Sequence, residues 1–419
     1  MRRSGVLVLA LLAACEGDLK VFGDDTGDGR SGEGEGEGEG EGEGATDAED
    51  EATIREAIDG TLDAATAIAR VAASKGLPVR TDDGFLFACD CGGGTWYLAG
   101  DHDGWAPEEM ERSGDLSWIE VPIEHPDGSL YKFTDGGDLY FADPRGRRYG
   151  YDEYGQFSLV RASAAHLERW YDVSGEGLVG RDLQVWVPED GAFTHALYAH
   201  DGQNLFDPEA FWGGWRLDES LPGDVLVVGI DNTVDRMEEY THTTDEIYGD
   251  TYGGEGAAYA ALVDGTIRPM MERAYGEAEV VGTMGSSLGG LISFYIADLY
   301  PDRYDMAISL SGTMGWGSIG DDHDTMIDLY RSAGHRGVAL YLDSGGGGTC
   351  FDSDGDGIED DDPDSADNYC ENRQLADVLS SSGYTYEVDL WHWWEPDAEH
   401  NELAWAERVW RPLDLFAAL

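Results

Sequence analysis

The sequence predicts an α/β protein, a mostly parallel sheet covered on both faces, preceded by a small β-sandwich. Three observations carry that expectation. From about residue 165 onward, apolar strand-like runs ("RDLQVWVP", "THALYAH", "DVLVVGI", "AEVVGTM", "YDMAISLS", "VALYLD", "YTYEVDLW") alternate with helical runs such as 256–274, 288–299 and 371–379. That is the pattern of parallel strands buried on both faces. Residues 84–164 instead read as short strands broken by Asp/Gly turns, including a hairpin around Asp135-Gly136-Gly137. The chain has 419 residues, 41% of them apolar, which is enough for two cores.

The chain opens "MRRSGVLVLALLAAC". Two Arg precede an apolar run too short to span a bilayer, which has the shape of a signal peptide. Its end, Leu12-Ala13-Ala14-Cys15, resembles a bacterial lipobox. The resemblance implies that residues 1–14 are removed and Cys15 is diacylated. The mature protein is then expected at the cell envelope, on a periplasmic or extracellular face, joined to the membrane through Cys15. Residues 15–51 contain a Gly/Glu repeat that cannot form a core and reads as an extended tether. Residues 52–83 begin with a helical pattern, Ile54, Ala57, Ile58, Leu62, Ala65, Ile68 and Val71, closed by Gly76 and Pro78.

The formal net charge is −60. Nucleic acid is excluded as a partner, because phosphates call for Lys and Arg. Setting Cys15 aside leaves Cys89, Cys91, Cys350 and Cys370. An extracytoplasmic site allows disulfides, and a Cys350–Cys370 bridge would staple most of an acidic stretch as a loop. Cys89 and Cys91 are left open, since a bridge across one residue is strained.

The front domain's order, "AGDHDGW", "YKF", "DGG", "DP", resembles the glycogen- and starch-binding immunoglobulin-like domains that precede many esterases. The resemblance implies that Trp105, Lys132 and Tyr140 touch sugar. Tyr140 stands where a Trp is usual. The competing reading is a sandwich that only packs against the next domain, with Trp105 in its core.

The chemistry lies further on. Gly285-Ser286-Ser287-Leu288-Gly289 is a G-x-S-x-G, weak alone, but it follows an apolar strand and opens a helix. That is the setting of a nucleophile elbow. Ser287 is the nucleophile, since only it has Gly at both −2 and +2. A Ser hydroxyl needs a base. His400, in "EPDAEHNELAW" between the last strand and the last helix, is the base expected. His323 and His335 come too early, and His392 sits in a Trp-rich strand.

With these residues in place, "HDGQNLFDP", "FWGGWRLDE", "GIDN…R…EY", "GSSLGG" and "HNELAW" together resemble an esterase family. It includes enterochelin, feruloyl and acetyl-xylan esterases, esterase D and mycolyltransferases. The resemblance covers about residues 168–419 of a 165–419 catalytic domain. It implies an α/β-hydrolase fold with an oxyanion hole built from the backbone N–H groups of Gln203 and Leu288. It needs no cofactor for catalysis.

The acid and the metal share one stretch, "LYLDSGGGGTCFDSDGDGIEDDDPDSADNYC", with an insertion at 344–370. Asp343, at a strand end, is the first candidate for the acid, Asp352 the second, and the other acidic residues of the loop remain open. Asp352, Asp354, Asp356 and Asp360, with Asp362 and Gly357, resemble calcium loops of the thrombospondin type-3 and EF-hand kind. Pro363 replaces the bidentate Glu of an EF-hand. A structural calcium is expected, against a solvated acidic loop. Trp212, Trp215, Trp391, Trp393 and Trp394 either line a cleft or belong to the core. The function expected is an extracytoplasmic serine esterase acting on a small-molecule or glycan ester. An acyltransferase on the same fold and a non-catalytic glycan-binding lipoprotein are the alternatives.

Overall fold

A computed structural model describes residues 47–247, 249–319, 324–361 and 367–419. The signal segment, Cys15, the Gly/Glu repeat, His323 and Asp362 lie outside the described residues.

Two helices open the fold, α1 (Asp47–Ile58) and α2 (Ala64–Ala73). Asp63 caps α2 by accepting from the Thr66 N–H at 2.9 Å, which satisfies one of the helix's unpaired amides. Their apolar faces, Ile54, Ala57, Ile68 and Val71, pack on Leu86, Ala88 and Leu116. These belong to a four-stranded sheet that includes Phe85–Cys89 and Leu116–Val121. Its other face meets a second sheet across Phe87, Leu98, Tyr131 and Phe133. The expected hairpin is present, with Leu130–Thr134 pairing to Tyr140–Phe141.

The second sheet runs on without a break into the catalytic region, through the pairs Leu167↔Tyr149 and Glu168↔Arg148. The buried Arg147 guanidinium donates to the carbonyls of Ala72, Ser74 and Arg169. It thereby ends α2 and ties it to this sheet.

Among the described residues, eight strands of the catalytic part belong to its main sheet: β1 (His166–Gly175), β2 (Leu178–Val187), β3 (His195–His200), β4 (Val225–Ile230), β5 (Val280–Ser286), β6 (Met306–Leu310), β7 (Ala339–Ser344) and β8 (Leu390–Trp394). Their order across the sheet is β8-β7-β6-β5-β3-β4-β2-β1. β3 to β8 are parallel, while β1 and β2 are antiparallel. This is the expected α/β-hydrolase architecture. Separate apolar clusters line its two faces, which is why β3, β4, β6 and β7 are buried at every position. "YTYEVDLW" forms strand only from Leu390; Tyr384, upstream, is buried against the face of the sheet. Among the described residues no helix is long and apolar enough to cross a membrane.

Candidate active site

Ser287 sits between β5 and the helix α3 (Leu288–Leu299) with φ 55° and ψ −123°. That strained backbone is what a nucleophile elbow requires. A Cβ on Gly285 would lie 2.5 Å from the Gly289 backbone, so the turn closes only with Gly there. Leu288 is the first residue of the helix, and its N–H has no partner within the helix. Ser287 Oγ lies 3.4 Å from Thr313 Oγ1. Asn368 Nδ2 donates to that same Thr313 oxygen at 3.3 Å and to the Ser311 carbonyl at 2.8 Å. The end of β5, the segment after β6 and the last residues of the insertion therefore meet at one floor.

The Gln203 turn follows β3. Asp201 adopts a left-handed conformation, φ 60°, and is fully enclosed. It accepts two bonds of 2.7 Å from Arg236 and one of 2.7 Å from Asn232 Nδ2. Arg236 is the largest influence holding its carboxyl below the usual range, against the upward push of burial. Gln203 Oε1 accepts from the Asn232 N–H at 3.1 Å. The "HDGQN" and "GIDN…R" segments thus fix one another.

His400 Nδ1 lies 2.6 Å from Oδ1 of Asp367, which is 0% exposed in its side chain. Asp367, and not Asp343 or Asp352, is the carboxylate against His400. Asp343 is claimed from elsewhere: Arg408 Nε donates to it at 3.0 Å and the Tyr341 hydroxyl at 3.0 Å. Burial pushes its carboxyl up to about 6 against the pull of Arg408. Asp352 is exposed and accepts from the Gly355 and Gly357 N–H groups of its own loop. Asp367 is held in place by Ser311 Oγ, which donates to Oδ2 at 2.8 Å, and by the Gly345 N–H.

The insertion is stapled by the Cys350–Cys370 disulfide, with Cα atoms 5.4 Å apart; Cys89 and Cys91 are also bonded. Oxygens of Asp352, Asp354 and Asp356 lie within 4.8 Å of one another. Gly355 and Gly357 take positive φ between them. Asp360 stands outside this group, because its Oδ2 accepts from the Ser353 N–H at 2.8 Å and its backbone pairs with Phe351.

The sugar-contact set does not come together as expected. Lys132 is 6% exposed and donates to the Tyr154 carbonyl at 3.0 Å, so its ammonium is spent inside the domain. Trp105 is half-buried and bonds Asp101 at 2.8 Å. Tyr140 is exposed. The Trp group divides: Trp215 is core and packs on Trp405, and Trp391 packs on the same core. Trp212, Trp393 and Trp394 are exposed, the last two at the carboxyl end of β8. His392 Nε2 is buried and finds no hydrogen-bond partner among the described residues.

Sequence reasoning missed Asp367, Arg408, Ser311 and Glu402. Glu402 is buried beside His400, accepts from Asn204 Nδ2 at 3.3 Å, and is pushed by burial up to about 7. The signal for Asp367 was its place three residues before the stapled Cys370.

The comparisons with known proteins bear on this geometry. The sequence matches the family described as "Putative esterase" over residues 179–411, more than half of the chain. The chain belongs to this esterase family. Its reaction class is that of the family, hydrolysis of esters. An uncharacterized protein, YbbA, of Bacillus subtilis (strain 168) is 28% identical over 131 residues, 30% of this chain. The match spans about half (52%) of that relative's length. Among solved structures, the ferric enterobactin esterase of Salmonella typhimurium aligns with 15% identity and a TM-score of 0.45. It covers 81% of this chain and 95% of that one. An IroE-like serine hydrolase of Shewanella oneidensis aligns with 18% identity and a TM-score of 0.47, covering 60% and 80%.

Proposed function

We propose that this protein is an extracytoplasmic, lipid-anchored serine esterase that works through an acyl-Ser287 intermediate. The observation that carries the reading is the 2.6 Å contact of His400 Nδ1 with buried Asp367, at the same sheet edge as the strained Ser287 turn. With Asp367 fixing Nδ1–H, His400 Nε2 is free to take the Ser287 proton as Oγ attacks the ester carbonyl. The N–H groups of Leu288 and Gln203 hold the oxyanion. His400 returns the proton to the departing alcohol. Water, deprotonated by His400, then cleaves the acyl-enzyme to acid and free Ser287.

The substrate we propose is an uncharged ester with an aromatic or sugar part. Exposed Trp212, Trp393 and Trp394 support it as aromatic surface, with Arg411 over one face of Trp393 and Tyr369 against Trp394. Two buried arginines support it too: Arg236 and Arg408 are tied to Asp201 and Asp343 rather than turned to an anionic ligand. Solved relatives are described as ferric enterobactin esterases; a net charge of −60 disfavours an anionic ferric chelate here. We also propose that Asp352, Asp354 and Asp356 hold a calcium ion, which would neutralise the loop preceding Asp367. The lipid anchor at Cys15 rests on the sequence.

The test is reaction of the mature chain with a fluorophosphonate beside Ser287→Ala, with turnover of acetyl and feruloyl esters. Labelling and turnover in the wild type alone are expected. Absence of both from the wild type, with calcium present, overturns the reading.

A further inference from the structure

Behind Asp367 lies a second buried ion pair that no step above uses. Arg408 is 2% exposed. Its Nε donates to Asp343 at 3.0 Å, and one terminal nitrogen donates to Ser311 Oγ at 2.7 Å. That same nitrogen stands 3.5 Å from Asp367 Oδ2. Trp405 Nε1 also donates to Ser311 Oγ, at 3.1 Å, and the Trp405 ring packs edge-on against His400 with centroids 5.1 Å apart.

The hydrogen bonding of Ser311 is therefore decided. Arginine and indole are donors only, so they fill the hydroxyl's two lone pairs, and its single proton must go to Asp367. Ser311 is kept in this role by a left-handed backbone, φ 50°, and a bond from its N–H to the Asp343 carbonyl at 2.8 Å. One cation thus faces two carboxylates, Asp343 directly and Asp367 chiefly through a hydroxyl.

We propose that Asp343 and Arg408 form a positioning pair for the triad, with Arg408 acting through Ser311 to set how firmly Asp367 supports the His400 imidazolium. This rests on the Ser287–His400–Asp367 reading. Asp343 holds the strand-end position at which the sequence led us to expect the acid. Here it holds Arg408 by the 3.0 Å bond to Nε, so that the arginine's ion pair with Asp367 stays long, at 3.5 Å, rather than closing to a shorter contact that would weaken the acid's hold on His400. Other charged or titratable groups face the same site: Tyr341 from β7, Asp361 from the insertion and Glu402 from the helix α4 (Glu402–Ala406). None of them bonds Arg408.

The test compares the acidic limb of the kcat/KM–pH profile in the wild type, Asp343→Asn and the double variant Asp343→Asn/Arg408→Gln. The Asn side chain keeps both hydrogen bonds, since the Tyr341 hydroxyl can turn from donor to acceptor. It leaves the full arginine charge to Asp367, so the limb should move to lower pH by about half a unit or more. The double variant removes both charges, and its limb should lie above that of Asp343→Asn by a similar amount, with kcat affected more than KM. A scaffold-only role would lower stability and leave the three limbs coincident, and that result overturns the inference. Fluorophosphonate labelling of Ser287 in the wild type separates this failure from a failure of the esterase reading itself.

Discussion

Replacing Asp367 by Asn tests the acid by exchanging one carboxylate oxygen for an NH2 group. The carboxylate is surrounded unevenly. Its Oδ2 accepts from Ser311 Oγ at 2.8 Å and from the Gly345 N–H, with an Arg408 nitrogen 3.5 Å away. An amide NH2 cannot stand where a peptide N–H and a guanidinium already point, so the amide oxygen must take that side. The NH2 is then left facing His400 Nδ1, at the 2.6 Å contact. It can only donate, so Nδ1 must accept and the ring proton moves to Nε2. A protonated Nε2 cannot take the Ser287 proton. The same tautomer error in a serine triad costs about 10⁴ in kcat, or about 5 kcal/mol of barrier at 1.36 kcal/mol per decade. The assay is kcat for a p-nitrophenyl ester near neutral pH, with circular dichroism and thermal melting to verify folding. Asp343→Asn is the control and should stay within about tenfold of the wild type. A folded Asp367→Asn enzyme within tenfold of the wild type, or an Asp343→Asn enzyme that loses 10⁴, refutes the assignment.

Other outcomes follow from the same contacts. Asp231 is half-buried, and desolvation pushes its carboxyl up to about 7 from 3.8; a raised carboxyl contributes stability below pH 4 that is lost as pH rises through 7. Asp231→Asn should therefore melt higher than the wild type at pH 8, by on the order of a few kcal/mol, with little difference at pH 4; equal melting at pH 8 would contradict this. Cys350 and Cys370 close a loop across 20 positions, so replacing both with Ser should cost about 3 kcal/mol on the chain-entropy account and lower kcat by loosening Asp367. Unchanged melting and kcat would sever that link. Calcium should raise the melting temperature and EDTA reverse it, with Asp354→Asn blunting the response; insensitivity in all three conditions leaves only a solvated loop. Arg236→Met would strand buried Asp201 and should cost about 3–5 kcal/mol, read by denaturant unfolding; a loss below 1 kcal/mol would show that the pair does not brace the Gln203 turn.

What the sequence made legible was local. Ser287 could be found because a strand, a Gly-flanked turn and a helix are contiguous in the chain, and each element is set by near neighbours. His400 could be found because few histidines follow Ser287 and only this one lies between the last strand and the last helix. Asp367 was hidden because the insertion holds many carboxylates with similar neighbours. Only packing under Gly345 and beside Ser311 distinguishes it. The strand-end rule pointed to Asp343, but Arg408, 65 positions later, claims that carboxylate through a contact that no local pattern encodes. The inward turn of Lys132 was hidden for a related reason. Alternation placed it on a strand, but the carbonyl of Tyr154 on a neighbouring turn decided where its ammonium ends. The front sandwich was legible as short strands, whereas the pairing Leu167↔Tyr149 that fuses it to the catalytic sheet is a matter of register between segments.

The most direct measurement is to trap the covalent intermediate. The mature protein, mixed with p-nitrophenyl acetate and quenched in acid within the first turnover, should carry one acetyl group on the peptide that contains Ser287. The adduct should be absent from Ser287→Ala and form far more slowly in Asp367→Asn. An acetyl group on another residue, or turnover with no acyl-enzyme at any quench time, would contradict the account.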